Sequence, residues 1–304
     1  MSRVFVFGNA SLDLIQYVAR LPRPGETLLS DSLVRCPGGK GFNQAIAAAR
    51  TGARTRLAAP IGSDATAVDI RRFAAQEPGL EAAWIETDAG TDLSIILVDP
   101  VGENVVVSSA AAAQGLRPEQ ATTALAEVAA DDIVLVQGNC AADTTLAALD
   151  LATARRARGI LNTAPVSDAC RRGVGRAAVL IANQGEAEAL SARTGIEAAQ
   201  ALRSADTQWV IVTRGREPVI VAGPNGVSLF AVPPVEPVDT AGAGDVFCGT
   251  LAGMLAKGAE MPEAVAIAIS AAGLSVTRRG TTPSFPTGEE VHKLETTFSE
   301  GRLQ

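Results

Sequence analysis

Short apolar runs alternate with alanine-rich helical stretches along most of the chain, and this alternation limits the folds open to it. Strand-like runs lie at residues 4–8, 56–60, 133–137, 159–162, 179–183, 209–213 and 219–222. Helical stretches lie at residues 43–50, 65–76, 118–129, 144–157, 186–194, 198–204, 245–257 and 262–278. Alternating strands and helices favour right-handed crossovers. Hydrophobic residues make up 47% of the chain and aromatics only 4%, which suits an aliphatic sheet buried between helices. We therefore predict an α/β fold with a central, mainly parallel sheet flanked by helices.

Two segments interrupt this alternation. Residues 14–36 contain the motif PRPGET, and residues 92–109 read as a β-hairpin around the turn-forming segment DPVGEN. Neither belongs to a strand–helix crossover, so together they predict a small β-sheet that projects from the main domain. No linker-like change of composition divides the chain, and we expect one domain over residues 1–304.

Charge and hydropathy exclude several classes of function. The net charge is −7 with no long run of either sign, which argues against non-specific binding of nucleic acid or anionic membranes. The N-terminus lacks the pattern of a signal peptide. The longest nearly apolar stretch, residues 264–276, is shorter than the roughly 20 residues that cross a bilayer. The four cysteines form no C-x-x-C pair, so we expect free thiols and a cytoplasmic location.

His292 is the only histidine. Metal sites with several histidines are therefore excluded, and any Ser-His-Asp or Cys-His centre would need this one residue. It lies near the C-terminus among charged residues, where we expect a solvated position on a helix.

The motif DTAGAGD, residues 239–245, precedes a helical run that ends at Gly258. Gly242 and Gly244 allow a tight turn or a close approach of the backbone to a ligand. Free N–H groups at a helix start bind phosphate or stabilise developing negative charge. Asp245 could instead be an ordinary N-terminal cap, although a cap does not need two glycines.

Two further motifs lie near the N-terminus. CPGGKGFNQA, residues 36–45, places Lys40 and Asn43 beside bare backbone at a helix start, suited to hydroxyls or an anion. It is not a Walker A loop, because the spacing is wrong and Phe42, rather than Ser or Thr, follows Gly41. GNASLD, residues 8–13, follows the first strand, and ligands bind outside the carboxyl ends of parallel strands. Asp13 there could bind neighbouring sugar hydroxyls or cap a turn.

Two motifs follow later strands. Asn183 and Glu186 in NQGEAE form either a helix capping box or a site for hydrated Mg²⁺ beside nucleotide phosphates. In VTRGRE, residues 212–217, Thr213 and Gly215 could contact a phosphate or ribose, or form a plain turn.

These motifs, in this order, together with PRPGET and SVTRRGTTPS (residues 275–284), resemble the ribokinase-like (PfkB) family of carbohydrate kinases, and within it the ribokinases. The paired GGKGxNQ and DTxGAGD signatures are highly specific, and the similarity covers nearly the whole chain. The resemblance implies a three-layer ribokinase-like fold with a small β lid formed by about residues 14–36 and 92–109. It also implies an ATP-dependent kinase that phosphorylates a primary hydroxyl of a small sugar, with ribose as the leading candidate.

The resemblance assigns roles to individual residues. Asp245 would be the catalytic base, beside an anion hole formed by Gly242, Ala243 and Gly244. The sugar contacts would be Ser11, Asp13, Gly39, Lys40, Asn43, Asn139 and Asp245. The nucleotide contacts would be Asn183, Thr213, Gly215, Gly244 and Ser270, with Mg²⁺ at Asn183 and Glu186. An activating K⁺ would be held by Asp239, Ala241, Ser275, Arg278, Gly280 and Ser284. The lid would pair with that of a second subunit in a homodimer.

Two positions depart from the ribokinase pattern. Ser11 stands where ribokinases typically have Asn, and Asn139 where they have Glu. Both sites would face the sugar, so the motifs predict the kinase activity more firmly than they predict ribose as its substrate. The alternatives are a kinase for another sugar or for a nucleoside, which Phe42 would either crowd or stack against. A sugar-binding regulator that has lost its chemistry is a third alternative, which the retention of Asp245, Asn183 and Glu186 disfavours.

Overall fold

Apolar runs form strands and alanine-rich stretches form helices, largely where the sequence predicts them. The computed structural model describes residues 2–30, 32–100 and 103–301. Its strands are β1 Val4–Phe7, β2 Ser11–Tyr17, β3 Ser32–Gly38, β4 Thr55–Ile61, β5 Leu80–Glu86, β6 Asp92–Val98, β7 Asn104–Ser108, β8 Ile133–Gln137, β9 Arg158–Asn162, β10 Val179–Asn183, β11 Trp209–Arg214, β12 Glu217–Gly223 and β13 Gly226–Phe230. Its helices are α1 Lys40–Ala49, α2 Ala65–Ala74, α3 Ala111–Gln114, α4 Pro118–Ala124, α5 Ala142–Ala154, α6 Asp168–Gly173, α7 Gln184–Ser191, α8 Gly195–Leu202, α9 Ala243–Ala256, α10 Met261–Ser275 and α11 Gly288–Ser299.

Within the described ranges, nine strands form the main sheet in the order β13-β12-β11-β10-β9-β8-β1-β4-β5. Every neighbouring pair from β11 to β5 is parallel, whereas β12 and β13 are antiparallel additions at one edge. The predicted mainly parallel sheet is confirmed. Two of its strands, β5 and β13, were not predicted, because both are edge strands with mixed burial and no continuous apolar run.

Helices cover both faces of the sheet, as alternate residues of β1 show. Val4 and Val6 pack into a core with residues of α1, α2, α9 and α10. Phe5 and Phe7 point the other way, into a core with residues of α4, α5, α7 and α8. Burial on both faces explains why the central strands are continuous aliphatic runs rather than alternating ones. The three-layer arrangement predicted from the family resemblance is therefore confirmed.

Four strands form a second, smaller sheet in the order β3-β2-β6-β7, again counting the described residues. Strands β6 and β7 form the predicted antiparallel hairpin, and β2 pairs with both β3 and β6. We call this sheet the lid. It begins at Ser11 and ends at Ser108, so its bounds are close to the predicted 14–36 and 92–109. Residues 31, 101 and 102 of those segments lie outside the described residues, as do 1 and 302–304 of the predicted domain.

The lid joins the main domain at the carboxyl edge of the parallel sheet. Strand β1 leads into β2 and β5 into β6, while β3 leads into α1 and β7 into α3. The chain passes between the lid and the main domain at these four junctions. Ligands bind at this edge of open α/β sheets, so the topology places the lid over the predicted site.

Several smaller predictions are also settled. The side chain of His292 is 79% exposed on α11, as expected. All four cysteines are free and buried. Burial raises the pKa of Cys140 to about 12 and that of Cys248 well above its ordinary value. None of the described helices is long and apolar enough to cross a membrane.

Candidate active site

The turn before α9 is held by Asp239 and by a glycine that cannot be replaced without strain. Asp239 accepts hydrogen bonds from the N–H groups of Ala241 and Gly280, both at 2.9 Å. Gly242 has φ +77°, and a Cβ added there would lie 2.7 Å from the ring of Phe285. The motif's first glycine is therefore required by the turn itself.

The first amides of α9 are available to a ligand. Within the described part of the chain, the N–H groups of Gly244 and Asp245 donate to no protein acceptor, whereas Val246 donates to the carbonyl of Gly242 at 2.9 Å. Free N–H groups and the dipole of this 14-residue helix favour an anion at its start. A Cβ on Gly244 would meet nothing within 4 Å, and Gly244 and Asp245 both line an open cleft.

Asp245 does not cap its own helix. Gly242 occupies the cap position, and no side chain caps α9 there. The Asp245 side chain, 7% exposed, instead accepts a hydrogen bond on each carboxylate oxygen: Oδ2 from Nδ2 of Asn43 and Oδ1 from Nε2 of Gln44, both at 2.9 Å. The two signature motifs, about 200 residues apart in sequence, therefore meet at one carboxylate.

Small residues bring α1 and α9 close enough for this contact. A Cβ on Gly249 would lie 2.2 Å from the carbonyl oxygen of Gln44, and one on Gly253 would lie 2.3 Å from Oγ1 of Thr51. These glycines follow Asp245 by one and two turns on the same helix face. Their missing side chains set the helix spacing that places Asp245 beside α1.

A chain of buried amides extends from Asp245 to the sheet, and the sequence analysis missed it. Nε2 of Gln44 also donates to Oδ1 of Asn162 at 3.1 Å, and its Oε1 accepts from Nε2 of Gln137 at 2.8 Å. Gln137 and Asn162 are the last residues of β8 and β9. A polar residue that ends a buried aliphatic strand at the carboxyl edge is the signal that could have identified them.

The predicted sugar contacts on β2 lie next to the start of α1. Asp13 is 5% exposed and accepts a hydrogen bond from the hydroxyl of Ser11 at 3.3 Å. A Cβ on Gly38 would lie 2.1 Å from Oδ2 of Asp13, and one on Gly39 would lie 3.0 Å from the backbone N of Ser11. Both glycines of the GGKG motif thus leave room for the backbone and carboxylate of β2.

Burial raises the pKa of Asp13 above its ordinary value. Hydrogen bonds from Ser94 and Ser11 lower it in part, the negative charge of Asp245 raises it further, and Lys40 lowers it. Two carboxylates and one ammonium therefore share the region between β2 and α9. This arrangement is suited to binding several hydroxyl groups.

Asn183 and Glu186 form a full capping box at the start of α7. The side chain of Asn183 accepts from the N–H of Glu186, and Oε2 of Glu186 accepts from the N–H of Asn183, both at 2.9 Å. Glu186 also accepts from the hydroxyl of Thr163 at 3.0 Å, a third partner that the sequence analysis missed. The capping interpretation is confirmed, and it is compatible with the metal interpretation because both side chains also line the cleft described next.

One cleft brings together part of the predicted site. Its predicted members are Lys40, Asn183, Glu186, Thr213, Gly242, Gly244 and Asp245. Asn43 adjoins it through its bond to Asp245, whereas Gly215 lies in the β11–β12 turn with φ +63°. Ser270 is in the middle of α10, where its hydroxyl donates to the carbonyl of Ala266 at 3.0 Å. Asn139 follows β8, and its side-chain oxygen is buried without a partner in the described structure.

The residues predicted to hold K⁺ lie on two segments that are joined by hydrogen bonds. Asp239 bonds to Gly280, as described above, and its own N–H donates to the carbonyl of Val276 at 3.2 Å. Ser284 closes a turn onto the carbonyl of Thr281 at 2.9 Å. The oxygens in this region are carboxylate and main-chain carbonyl groups, which are ligands for a hard cation. Among the described residues, no group of three or more His, Cys, Asp or Glu side chains could hold a metal ion.

Phe42 does not reach the sugar region. Its side chain is fully buried in the core and lies 6.0 Å from Phe73, measured between ring centroids. The expectation that Phe42 would crowd or stack against a nucleoside is therefore wrong. The residue after the GGKG glycines packs inward because α1 buries this face against the sheet.

Comparison with known proteins identifies the family. A model of the pfkB family carbohydrate kinases matches residues 1–288. The chain belongs to the pfkB family. This kinase is 33% identical over 300 residues to the ribokinase of Bacillus subtilis, a match that covers 97% of this chain and 99% of the relative. It is 27% identical over 307 residues to the deoxyribokinase of Salmonella typhimurium, covering 95% and 97%.

The solved structures agree with this assignment. The kinase superposes on the ribokinase of Thermotoga maritima with a TM-score of 0.89 at 30% identity, covering 97% of this chain and 100% of the other. The prediction made from the paired motifs is confirmed: this is an ATP-dependent sugar kinase of the pfkB family.

Proposed function

We propose that this kinase transfers the γ-phosphoryl group of ATP to a primary hydroxyl of a small sugar, with ribose as the leading substrate. One observation carries the proposal: the carboxylate of Asp245 lies beside free backbone N–H groups at the start of α9, inside a cleft that Lys40 also lines. A base and an anion site side by side are what phosphoryl transfer to an alcohol needs.

Asp245 is the proposed catalytic base. Its carboxylate accepts the proton of the attacking hydroxyl as the bond to phosphorus forms. The N–H groups of Gly244 and Asp245, which follow the turn at Gly242 and have no protein acceptor in the described structure, stabilise the negative charge on the phosphoryl oxygens. The N–H group of Ala243, which donates to the carbonyl of Thr240 at 3.4 Å, is a weaker candidate for the same role. Because this turn is held by Asp239 and by the ring of Phe285, its donors are in place before substrate arrives. The protein therefore contributes alignment and preorganised charge rather than covalent chemistry.

The nucleotide is proposed to lie along the carboxyl ends of β10 and β11. Thr213 and Glu186 line the cleft there, next to Asn183, while Gly215 and Ser270 are proposed contacts farther from it. Asn183 and Glu186 would hold a hydrated Mg²⁺, which usually takes few protein carboxylates and keeps its waters. That ion neutralises charge on the phosphates when bound.

A monovalent cation is proposed behind the anion site. Asp239, Ala241, Ser275, Arg278, Gly280 and Ser284 would hold K⁺. The support is the hydrogen-bonded junction of their two segments directly before α9. We expect K⁺ to stimulate turnover, and equal rates with and without K⁺ in Na⁺-free buffer would contradict this role.

The sugar is proposed to lie between β2 and α9. Its contacts would be Ser11, Asp13, Gly39, Lys40, Asn43, Asn139 and Asp245. Support for ribose comes from the Bacillus subtilis and Thermotoga maritima relatives, both ribokinases. Another sugar is the second candidate, favoured by the buried, unpartnered oxygen of Asn139 at a position where ribokinases typically have Glu. The 27% identical deoxyribokinase supports a pentose in either case.

The test is an ATP-consumption screen of the full-length protein against pentoses, hexoses and nucleosides, with the phosphorylated position of each product assigned by NMR. We expect turnover with a pentose and a product phosphorylated at its primary hydroxyl. Heat release on sugar binding without turnover of any candidate would instead favour the non-catalytic regulator. A nucleoside consumed faster than any free sugar would favour a nucleoside kinase.

Pairing of two lids in a homodimer is a further part of the proposal. Its support is a set of apolar side chains that are 42–65% exposed on the lid; they are Leu33, Val34, Ile95, Val105, Val106 and Val107. Lid pairing would be contradicted if light scattering shows that the wild-type protein is a monomer at assay concentration. It would also be contradicted if Val107→Asp leaves a dimer intact. The cytoplasmic location stays a prediction.

A further inference from the structure

Gln44 has no role in the motifs discussed so far, yet its side chain is the most completely hydrogen-bonded group next to Asp245. It is fully buried, and three bonds use both N–H groups and the carbonyl oxygen of its amide. Its partners are Asp245 on α9, Asn162 at the end of β9 and Gln137 at the end of β8. Three elements that converge on the site are thus joined through one side chain.

These bonds fix the orientation of the amide. A flipped Gln44 would turn its oxygen toward the acceptor oxygens of Asp245 and Asn162, and its nitrogen toward the donor of Gln137. The contact with the ionised carboxylate of Asp245, which can only accept, would become repulsive in every case, and the contacts with Asn162 and Gln137 would do so unless those amides flipped as well. The donor to Oδ1 of Asp245 is therefore held by two strand ends as well as by α1.

Asn43, the other donor to Asp245, is less constrained. Its Nδ2 donates to Oδ2 of the carboxylate, but its own Oδ1 is buried without a partner in the described structure. An unpartnered buried acceptor is unfavourable until a donor arrives. Asn43 thus remains open to a hydroxyl, whereas Gln44 has no polar atom left for substrate.

We propose that Gln44 is a positioning residue, which locks Oδ1 of Asp245 to the sheet so that Oδ2 is the oxygen that meets the sugar hydroxyl. This inference rests on the proposed role of Asp245 as base. Gln44 would act on the reaction only through Asp245, and Gln137 would act only through Gln44. The order of effects expected on removal is therefore Asp245, then Gln44, then Gln137.

The interpretation of a pH profile of activity depends on the titratable groups that surround Asp245. The titratable groups that face it are Lys40 from α1, Asp13 from β2, Glu186 from α7 and Cys248 on its own helix. None of them is bonded to Gln44 in the described structure. Loss of the Gln44 donor therefore removes one hydrogen bond to the Asp245 carboxylate without removing a charge from the site.

The test is the Gln44→Met variant of the full-length kinase, which keeps the length of the side chain and removes its polar atoms. We expect kcat to fall about 10- to 100-fold through loss of alignment. We also expect the acidic limb of the pH profile of kcat/KM to move up by about one pH unit, because the ionised carboxylate loses a donor. The Kd for ATP should change less than twofold. Gln76→Met, an exposed position just beyond α2, is the matched control and should match wild type.

A purely structural role would move different quantities. It would lower the thermal midpoint and kcat while leaving the acidic limb in place, and that result would overturn the proposal. If Gln44→Met does not fold, Gln137→Met removes the anchor and leaves both donors to Asp245 intact. We expect it to lower kcat about 3- to 10-fold with a smaller upward shift of the same limb. An unchanged limb in Gln137→Met, with Gln44→Met unfolded, would also count against positioning.

Asp245→Asn separates this inference from the proposed function. If Asp245→Asn turns over at a near-normal rate, the base assignment fails, and the inference fails with it. If Asp245→Asn is inactive while Gln44→Met keeps the wild-type profile, only the inference fails.

Discussion

The two ends of the cleft differ in whether their polar side chains are satisfied by the protein. At the proposed phosphoryl-transfer end, both oxygens of Asp245 and both oxygens of Glu186 accept hydrogen bonds. At the predicted sugar end, the side-chain oxygens of Asn43 and Asn139 are buried without partners in the described structure. Burial also raises the pKa of Asp13 there. The protein alone thus satisfies the carboxylates of the first end, here called the complete end, and leaves the N–H groups of Gly244 and Asp245 for a phosphoryl group. Oε1 of Gln137, whose Nε2 donates to Gln44, also has no partner in the described structure. At the second, incomplete end, buried side-chain oxygens are left for the proposed sugar.

This difference has an energetic meaning. A buried polar group without a partner costs about 1–3 kcal/mol, and a substrate that supplies the missing donor recovers that cost on binding. A substrate that lacks the donor does not, so under the proposed function the incomplete end would discriminate between sugars. The complete end would serve every substrate equally and set the rate of the chemical step. The four predictions that follow test this division, in order of decreasing expected effect.

The largest effect is expected for Asp245→Asn. Without a proton acceptor at the reacting hydroxyl, kcat should fall by about 10³-fold or more. ATP binding should be retained, because the N–H groups at the helix start belong to the backbone. Steady-state kinetics and calorimetric titration with ATP measure the two quantities. Near-normal turnover would show that Asp245 is not the base. The proposed difference between the two ends of the cleft would then fail at the complete end.

A smaller loss is expected for Gly242→Ala. An alanine at φ +77° is strained and its Cβ would meet the ring of Phe285, so the turn must shift and the donors after it move. We expect kcat to fall about 10- to 100-fold from misalignment. Steady-state rates at saturating ATP and sugar give this loss.

Gly258→Ala is the matched control. Gly258 has φ +96° but open space around its Cβ position, and it lies beyond the other end of α9. The strain of a left-handed alanine, roughly 1–2 kcal/mol, should appear there as lost stability with kcat within twofold of wild type. Equal losses of kcat in both variants would show that strain alone, not the position of the anion site, limits turnover.

The complete end was also the more predictable from sequence. Its donors are backbone N–H groups, and the signal for them is a spacing of glycines before a helix, which DTAGAGD displays directly. The parallel sheet was predictable for a similar reason, because burial on both faces makes its central strands continuous aliphatic runs. Edge strands such as β13 carry no such signal, since only one neighbour constrains them.

Tertiary contacts account for what could not be predicted. Gln44 lies within a quoted motif, but its role depends on Gln137 and Asn162, which are 93 and 118 residues away in sequence. Phe42 was expected to crowd or stack against a nucleoside, yet helix periodicity turns it into the core. Sequence spacing locates bare backbone, whereas the direction of a side chain depends on the elements that pack around it.

A tenfold effect is expected at the incomplete end. In Asn139→Glu a carboxylate replaces the unpartnered amide oxygen and restores the residue typical of ribokinases. If the side chain at position 139 forms a hydrogen bond with a sugar hydroxyl, the ratio of kcat/KM for ribose to that for the next best pentose should rise about tenfold. Competition assays with paired sugars measure the ratio directly. Ser11→Asn should act in the same direction, and an unchanged ratio in the double variant would show that specificity is set elsewhere.

The smallest effect concerns the stability of the ligand-free protein. A carboxyl whose pKa is raised by folding stabilises the fold only when protonated, so its contribution is lost as pH rises through the folded pKa. Asp13 is such a group. Asp13→Asn keeps the shape and removes the charge, so at pH 7 it should raise the thermal midpoint by a few degrees while weakening sugar binding.

The size of this effect must depend on pH. At a pH below the ordinary range of aspartate, Asp13 is protonated in both folded and unfolded states, and the two proteins should unfold at the same temperature. The difference should grow as pH rises through the raised pKa and then level off. Saturating sugar should reverse it, because only the wild-type carboxylate gains hydroxyl partners. A midpoint that Asp13→Asn lowers at pH 7 without sugar would mean that Asp13 is already satisfied by its neighbours, and the contrast between the two ends of the cleft would not hold.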